Sequence, residues 1–164
     1  EANGASVNDT TIFYVGEIDA VSSSAYGVAF GSTDDGTPVY AVLQPIQSGS
    51  VWRVFYRGDN NNNQTLVSST AQYSNGTPYV LAQSTASSIV GRANGAEVVS
   101  ASNTASGDTM LTTRLGVGAL VRTSVSNYWN GRIGDVLIYN RVLTTAEIQR
   151  VERWLAGKFG VTLA

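Results

Sequence analysis

Between residues 11 and 140 the chain is written as short runs rich in β-branched and aromatic residues, each broken off by a cluster of turn formers. The first run is 11–18 (TIFYVGEI). It is followed by 27–31, 38–45, 51–57, 64–69, 79–83, 88–93, 97–101, 111–117 and 133–140. The interruptions are Asp34-Asp35-Gly36, residues 59–63, Ser74-Asn75-Gly76, Asn94-Gly95 and Ser106-Gly107-Asp108. Branched and aromatic side chains pack well on a pleated surface, whereas Gly, Asn and Asp accept the backbone angles of turns. Short strands recurring about every ten residues predict an all-β sandwich or barrel.

Two local signals are sharper. Asn94-Gly95 lies between two apolar runs, and a two-residue hairpin turn needs positive φ at both positions, so 88–93 pairs with 97–101. At the end of the chain, Thr144 is placed as a helix N-cap and Glu147, three residues on, completes a capping box. Ile148, Val151, Trp154 and Leu155 recur at helical spacing and form one packing stripe. Gly157 or Gly160 ends the helix, with Lys158 near the negative end of its dipole.

Composition removes many functions. The 164 residues suit one domain spanning 1–164, large enough to bury a core without disulfide or metal staples. The 43% hydrophobic content argues against a disordered tail, and no apolar run approaches the roughly 18 residues of a membrane helix, so no membrane insertion is expected. No histidine is present, which removes histidine-base mechanisms, and no cysteine, which removes thiol catalysis and zinc sites built on these ligands. Lys158 and nine scattered arginines are too dispersed for a nucleic-acid patch. The chain starts at Glu1 and its one methionine is Met110, so it reads as a piece of a longer protein.

Aromatic rings can cover the apolar face of a sugar, and Trp52, Phe55, Tyr56, Tyr73, Tyr79, Tyr128 and Trp129 are available. On the run 51–57, strand alternation puts Trp52, Val54 and Tyr56 on one face, read as core. Arg53, Phe55 and Arg57 take the other, read as a solvent or groove face whose two cations suit an acidic glycan or an interface. Tyr128 and Trp129 precede a glycine-led strand and are read as exposed loop aromatics. Asp34, Asp35 and Asp59 lie in loops that could offer oxygen ligands to calcium, without EF-hand spacing.

Residues 130–143 (NGRIGDVLIYNRVL) and 144–160 (TTAEIQRVERWLAGKFG) resemble the end of laminin G-like jelly rolls, part of the concanavalin A-like lectin/glucanase superfamily. Residues 89–99 (IVGRANGAEVV) are similar to the same family's strand, Asn-Gly turn and strand, and 11–15 to its early core strand. The resemblance implies two antiparallel sheets with a concave face, and calcium as a possible ligand. Family members carry a strand ahead of the one at 11, yet only ten residues precede it here. That strand is therefore very short, missing or supplied by another chain.

The superfamily also includes retaining glucanases with a Glu-Ile-Asp-x-x-Glu motif. Residues 16–22 (GEIDAVS) keep Glu17 and Asp19 but place Ser22 where the second glutamate belongs, and a serine cannot protonate a leaving oxygen at neutral pH.

The expected protein is thus an antiparallel jelly-roll sandwich with one C-terminal helix. Its expected role is a non-catalytic carbohydrate-binding or adhesion module of a secreted, surface or viral fibre protein. Its partners would be a glycan or host-surface polysaccharide, at an extracellular, cell-surface or virion location. An assembly domain that binds its own copies or a parent particle is the alternative, and a degenerate glucanase the lesser one.

Overall fold

The computed structural model describes residues 5–6, 9–31, 39–58, 64–106 and 111–164. In chain order the strands are β1 (Ala5–Ser6), β2 (Thr10–Ala20), β3 (Val28–Gly31), β4 (Val39–Ile46), β5 (Val51–Arg57), β6 (Gln64–Gln72) and β7 (Pro78–Thr85). Then come β8 (Ser88–Ala93), β9 (Ala96–Ser102), β10 (Leu111–Thr112), β11 (Arg114–Val117), β12 (Leu120–Val121), β13 (Val125–Ser126) and β14 (Asn130–Tyr139). The helix α1 (Thr145–Phe159) closes the chain.

Two five-stranded antiparallel sheets carry the fold, ordered β11-β3-β4-β5-β6 and β14-β2-β7-β8-β9. Between them lies one large core. Ile12, Tyr14 and Ile18 from β2 meet Tyr40, Val42 and Leu43 from β4, Trp52, Val54 and Tyr56 from β5, and Leu81 and Ile89 from the second sheet. The alternation read from 51–57 is the one observed.

The pairing of β4 with β5 is interrupted once. Ala41 pairs with Phe55 and Gln44 with Arg53, which leaves Val42 and Leu43 together opposite Val54. This bulge keeps both apolar residues in the core and returns Gln44 to the outer face beside Arg53. The Leu43 N–H that the bulge frees donates to Gln83 Oε1 at 2.8 Å, across the sandwich. Gln83 is fully buried for that purpose.

The outer face of the second sheet is covered by α1. Phe13, Val15, Val80 and Ala82 pack against Leu143, Ile148, Leu155 and Ala156. The capping box forms as expected, with the Thr144 hydroxyl accepting from the Glu147 N–H and the Glu147 carboxylate from the Thr144 N–H. Gly160, at φ 68°, ends the helix. Trp154 departs from expectation: it is 53% exposed and off the packing stripe. The Lys158 ammonium, bonded to Asp135, sits 5.3 Å from its ring centroid. Under the helix, Arg92 holds Glu152 with two bonds, 2.8 and 3.2 Å, and Glu152 is 1% exposed.

Asn94 and Gly95 take φ 48° and 84° and join β8 to β9, as the dipeptide requires. The strand ahead of residue 11 is very short: β1 pairs with β10 over two residues. The run 111–117 is two strands rather than one, and the small β12–β13 hairpin has no counterpart in the strand runs read from sequence.

Candidate functional site

The outer face of the β11-β3-β4-β5-β6 sheet is built differently from its helix-covered counterpart. Ala29 from β3, Val39 and Ala41 from β4 and Phe55 from β5 form a small buried apolar cluster with Tyr26 and Leu120. Two glycines let the segment after β11 lie on this face. A Cβ at Gly116 would fall 2.2 Å from the Ala119 carbonyl oxygen. A Cβ at Gly31 would touch the Arg122 side chain and the Val121 carbonyl, each at 3.0 Å. Close backbone approach is the reason for glycine at both positions. Arg114 on β11 donates to the Arg122 carbonyl and ties the segment down.

Three guanidinium groups converge on this floor. Arg53 and Arg57 come from alternate positions of β5, and Arg122 from the residue after β12. All three act electrostatically on the Tyr26 hydroxyl. Burial pushes that phenol above its usual range, against the pull of the three cations. Burial likewise lowers Arg53 from its usual value, with Tyr26 opposing. With its amide oriented to suit its neighbours, Gln44 accepts from Arg53 Nε at 2.9 Å and Nη2 at 3.1 Å. The Arg57 guanidinium stands 5.4 Å from the centroid of the Phe55 ring.

The consequence is chemical. Gln44 orients the Arg53 guanidinium through a neutral partner, so its charge is aimed but not cancelled. A planar guanidinium offers paired donors that match a carboxylate, sulfate or phosphate. On a low-dielectric floor such a pairing is stronger than in open water.

Of the residues read from sequence, Arg53, Phe55 and Arg57 do share one face. Phe55, however, is only 8% exposed, so it forms the floor rather than a solvent-facing ring. Trp129 is corrected outright. It is 9% exposed and part of the core, meets Tyr14 edge to face at 5.8 Å, and donates its indole N–H to the Glu17 and Arg132 carbonyls. Gly16 makes room for it, since a Cβ there would lie 2.6 Å from the indole. Tyr128 is exposed as expected, at 66%. Tyr73 is buried, and with Tyr79 it packs on Trp52. Asp34, Asp35 and Asp59 lie outside the described residues, and no cluster of three metal-ligating side chains occurs among those described.

Glu17 and Asp19 flank the buried Ile18, so they point away from the core on the helix-bearing sheet. Glu17 is paired with Arg132 at 3.0 Å, and Asp19 is exposed. They stand on a different sheet from the arginine face.

Tyr26, Gln44 and Arg122 were not read from the sequence. The bulge re-phases Gln44, and Arg122 arrives on an unexpected hairpin. The spacing of Gly116 and Gly118 beside a short strand was the one available hint of that hairpin.

No protein-family model and no curated protein sequence matches this chain. Solved structures do. The chain is similar to the CBM40 carbohydrate-binding module of the Ruminococcus gnavus IT-sialidase, bound to α2,3 sialyllactose, with a TM-score of 0.74 and 15% identity, covering 90% of this chain and 84% of that one. The fold is a concanavalin A-like jelly roll. A SAP-like pentraxin from Limulus polyphemus matches at TM-score 0.66 and 13% identity, over 92% of this chain and 72% of that one. A leech intramolecular trans-sialidase matches at 0.72 and 13%, with 92% of this chain covering 26% of the enzyme. At these identities the likeness establishes the fold alone.

Proposed function

We propose that this chain is a non-catalytic carbohydrate-binding module that holds an acidic sugar on the outer face of the β11-β3-β4-β5-β6 sheet. The carrying observation is the Arg53 guanidinium, aimed by Gln44 beside the apolar floor of Ala41, Phe55 and Leu120, with Arg57 over the Phe55 ring and Arg122 packed on Gly31. The sugar's carboxylate pairs with the arginines while its ring rests beside Phe55 and Leu120. The likeness to a CBM40 module bound to sialyllactose supports this reading, because sialic acid carries such a carboxylate. Calorimetric titration with α2,3 sialyllactose tests it. Binding is expected that weakens as salt is raised, since screening acts on exposed charge. Arg53→Gln should weaken binding by about 1.5–3 kcal/mol. Equal affinity in wild type and Arg53→Gln would overturn the assignment.

The Glu17–Arg132 pair and Ser22 support a module without hydrolytic activity. Release of reducing sugar from β-glucans, abolished in Glu17→Gln, would overturn that part. We read the last strand and helix as laminin G-like, and the module as working outside the cell, on a cell surface or on a virion. Protease accessibility of the parent protein on intact cells or particles checks the location.

An assembly role is favoured by one observation: Trp154, 53% exposed, borders an apolar hollow with Leu137, Tyr139 and Val151 between the β14 edge and the helix. Light scattering behind size exclusion separates the two. A stable oligomer that Trp154→Ser dissolves supports assembly, and a monomer at all concentrations removes it.

A further inference from the structure

A second hollow, at the start of β14, has a different chemistry from the arginine face. It is an open hollow of ≈ 260 Å³ lined by Ala20, Ser22, Ser23, Ser24, Asn127, Tyr128 and Asn130. Apart from the Ala20 methyl, each of these side chains carries a hydroxyl or an amide, and none is charged. The Tyr128 hydroxyl donates to the Val125 carbonyl at 3.1 Å, so the exposed ring is held in one place. Its neighbour Asn127 has φ 56°, a left-handed conformation uncommon outside glycine. Two bonds hold it there: Asn127 Nδ2 donates to Ser24 Oγ at 2.6 Å, and its carbonyl accepts from the Tyr26 N–H at 3.0 Å.

A neutral sugar ring presents an apolar C–H face and a rim of hydroxyls that both donate and accept. A fixed, exposed phenol ring matches the first, and uncharged hydroxyls and amides match the second. Pockets for drug-sized ligands run from about 300 Å³ upward, so this smaller hollow suits one ring. Its position is as informative. Ser24 lines the hollow, and Tyr26 stands among Arg53, Arg57 and Arg122. Two residues of extended chain span at most about 7 Å. Ser24 also bridges Ile46 at the end of β4, the strand on which Gln44 pairs with Arg53, so the hollow borders the arginine face.

We propose that the Tyr128 hollow is a second subsite, taking the neutral sugar next to the acidic one. This rests on the arginine face holding the acidic sugar. The test is a titration of the isotopically labelled chain, followed by amide shifts, with N-acetylneuraminic acid, lactose and α2,3 sialyllactose. Sialyllactose should bind about fivefold or more tighter than the free acid, the scale of one added ring contact. Millimolar lactose should shift the amides of 22–24 and 127–130 and spare β5. Tyr128→Ala should reduce sialyllactose to the affinity of the free acid and leave the free acid unchanged. Tyr128→Phe, which keeps the ring without its tether, should fall between. The proposal is overturned if lactose moves no amide at the hollow, or if Tyr128→Ala weakens both acidic ligands equally or neither. Should the free acid fail to bind while lactose still shifts the hollow, the arginine reading falls and the hollow stands as a neutral-sugar site.

Discussion

The two outward faces of this sandwich place their cations differently. On the helix-covered sheet, four cations are matched to anions: Arg92 to Glu152, Arg132 to Glu17, Arg141 to Glu147 and Lys158 to Asp135. That face is closed by apolar packing, and its ion pairs fasten the lid. On the other sheet, three arginines gather round one phenol, and Arg53 is steered by the neutral amide of Gln44. The charge of Arg53 is thereby positioned rather than neutralised. The difference separates a face whose ion pairs fasten a helix from one that gathers guanidinium groups over an apolar floor.

The largest effect expected from testing this contrast is on stability. Glu152→Ala strands the Arg92 guanidinium beneath the helix, and breaking a buried pair this way costs about 3–5 kcal/mol. Urea denaturation should show the loss while sialyllactose affinity of the folded protein is unchanged. A parallel fall in affinity would mean the faces are coupled. Arg53→Gln should invert the pattern. Loss of a charge-assisted bond weakens binding by about 1.5–3 kcal/mol, whereas a partly exposed site leaves stability within about 0.5 kcal/mol. Calorimetry and denaturation on the same preparation check both halves.

Gly116→Ala sharpens the comparison from within the arginine face. Its new Cβ meets the Ala119 carbonyl, so the segment bearing Leu120 and Arg122 must lift. Overpacking of this sort costs about 1–3 kcal/mol, and binding should weaken alongside. Thr144→Ala should cost about 1 kcal/mol through the lost cap, with no change in affinity.

The smallest effect is in acid. Glu147 is held down to about 2 from an ordinary 4.5, first by the Arg141 hydrogen bond and then by the Thr144 N–H and hydroxyl. A depressed carboxylate stabilises the folded state fully above 4.5, and that contribution drains away as pH falls toward 2. Melting temperatures across that window should drop less steeply in Glu147→Gln than in wild type.

Much of the architecture was legible in the residues alone. Asn94-Gly95 set its hairpin because few other pairs accept two positive φ angles. Thr144 and Glu147 set the start of the helix because the capping box is a local hydrogen-bond exchange. The alternation in 51–57 divided core from outer face because the strand period is two. These are short-range constraints, complete within a few residues of sequence.

What the sequence left open depended on distant partners. Trp129 looked like a loop aromatic, yet Gly16 and Tyr14, far away along the chain, provide the slot that buries it. Gln44 reached the arginine face through a bulge whose freed N–H is satisfied by Gln83 from the opposite sheet. Arg122 joined Arg53 and Arg57 because Gly31 and Gly116 let a hairpin lie against the sheet. Residue pattern alone therefore determined most of the strands, the Asn94-Gly95 hairpin, the capped helix and the pair of cations on β5. The tertiary structure decided which aromatics are buried, which polar groups converge and where a third cation comes to rest, because packing and register act between residues that are neighbours only once the chain has folded.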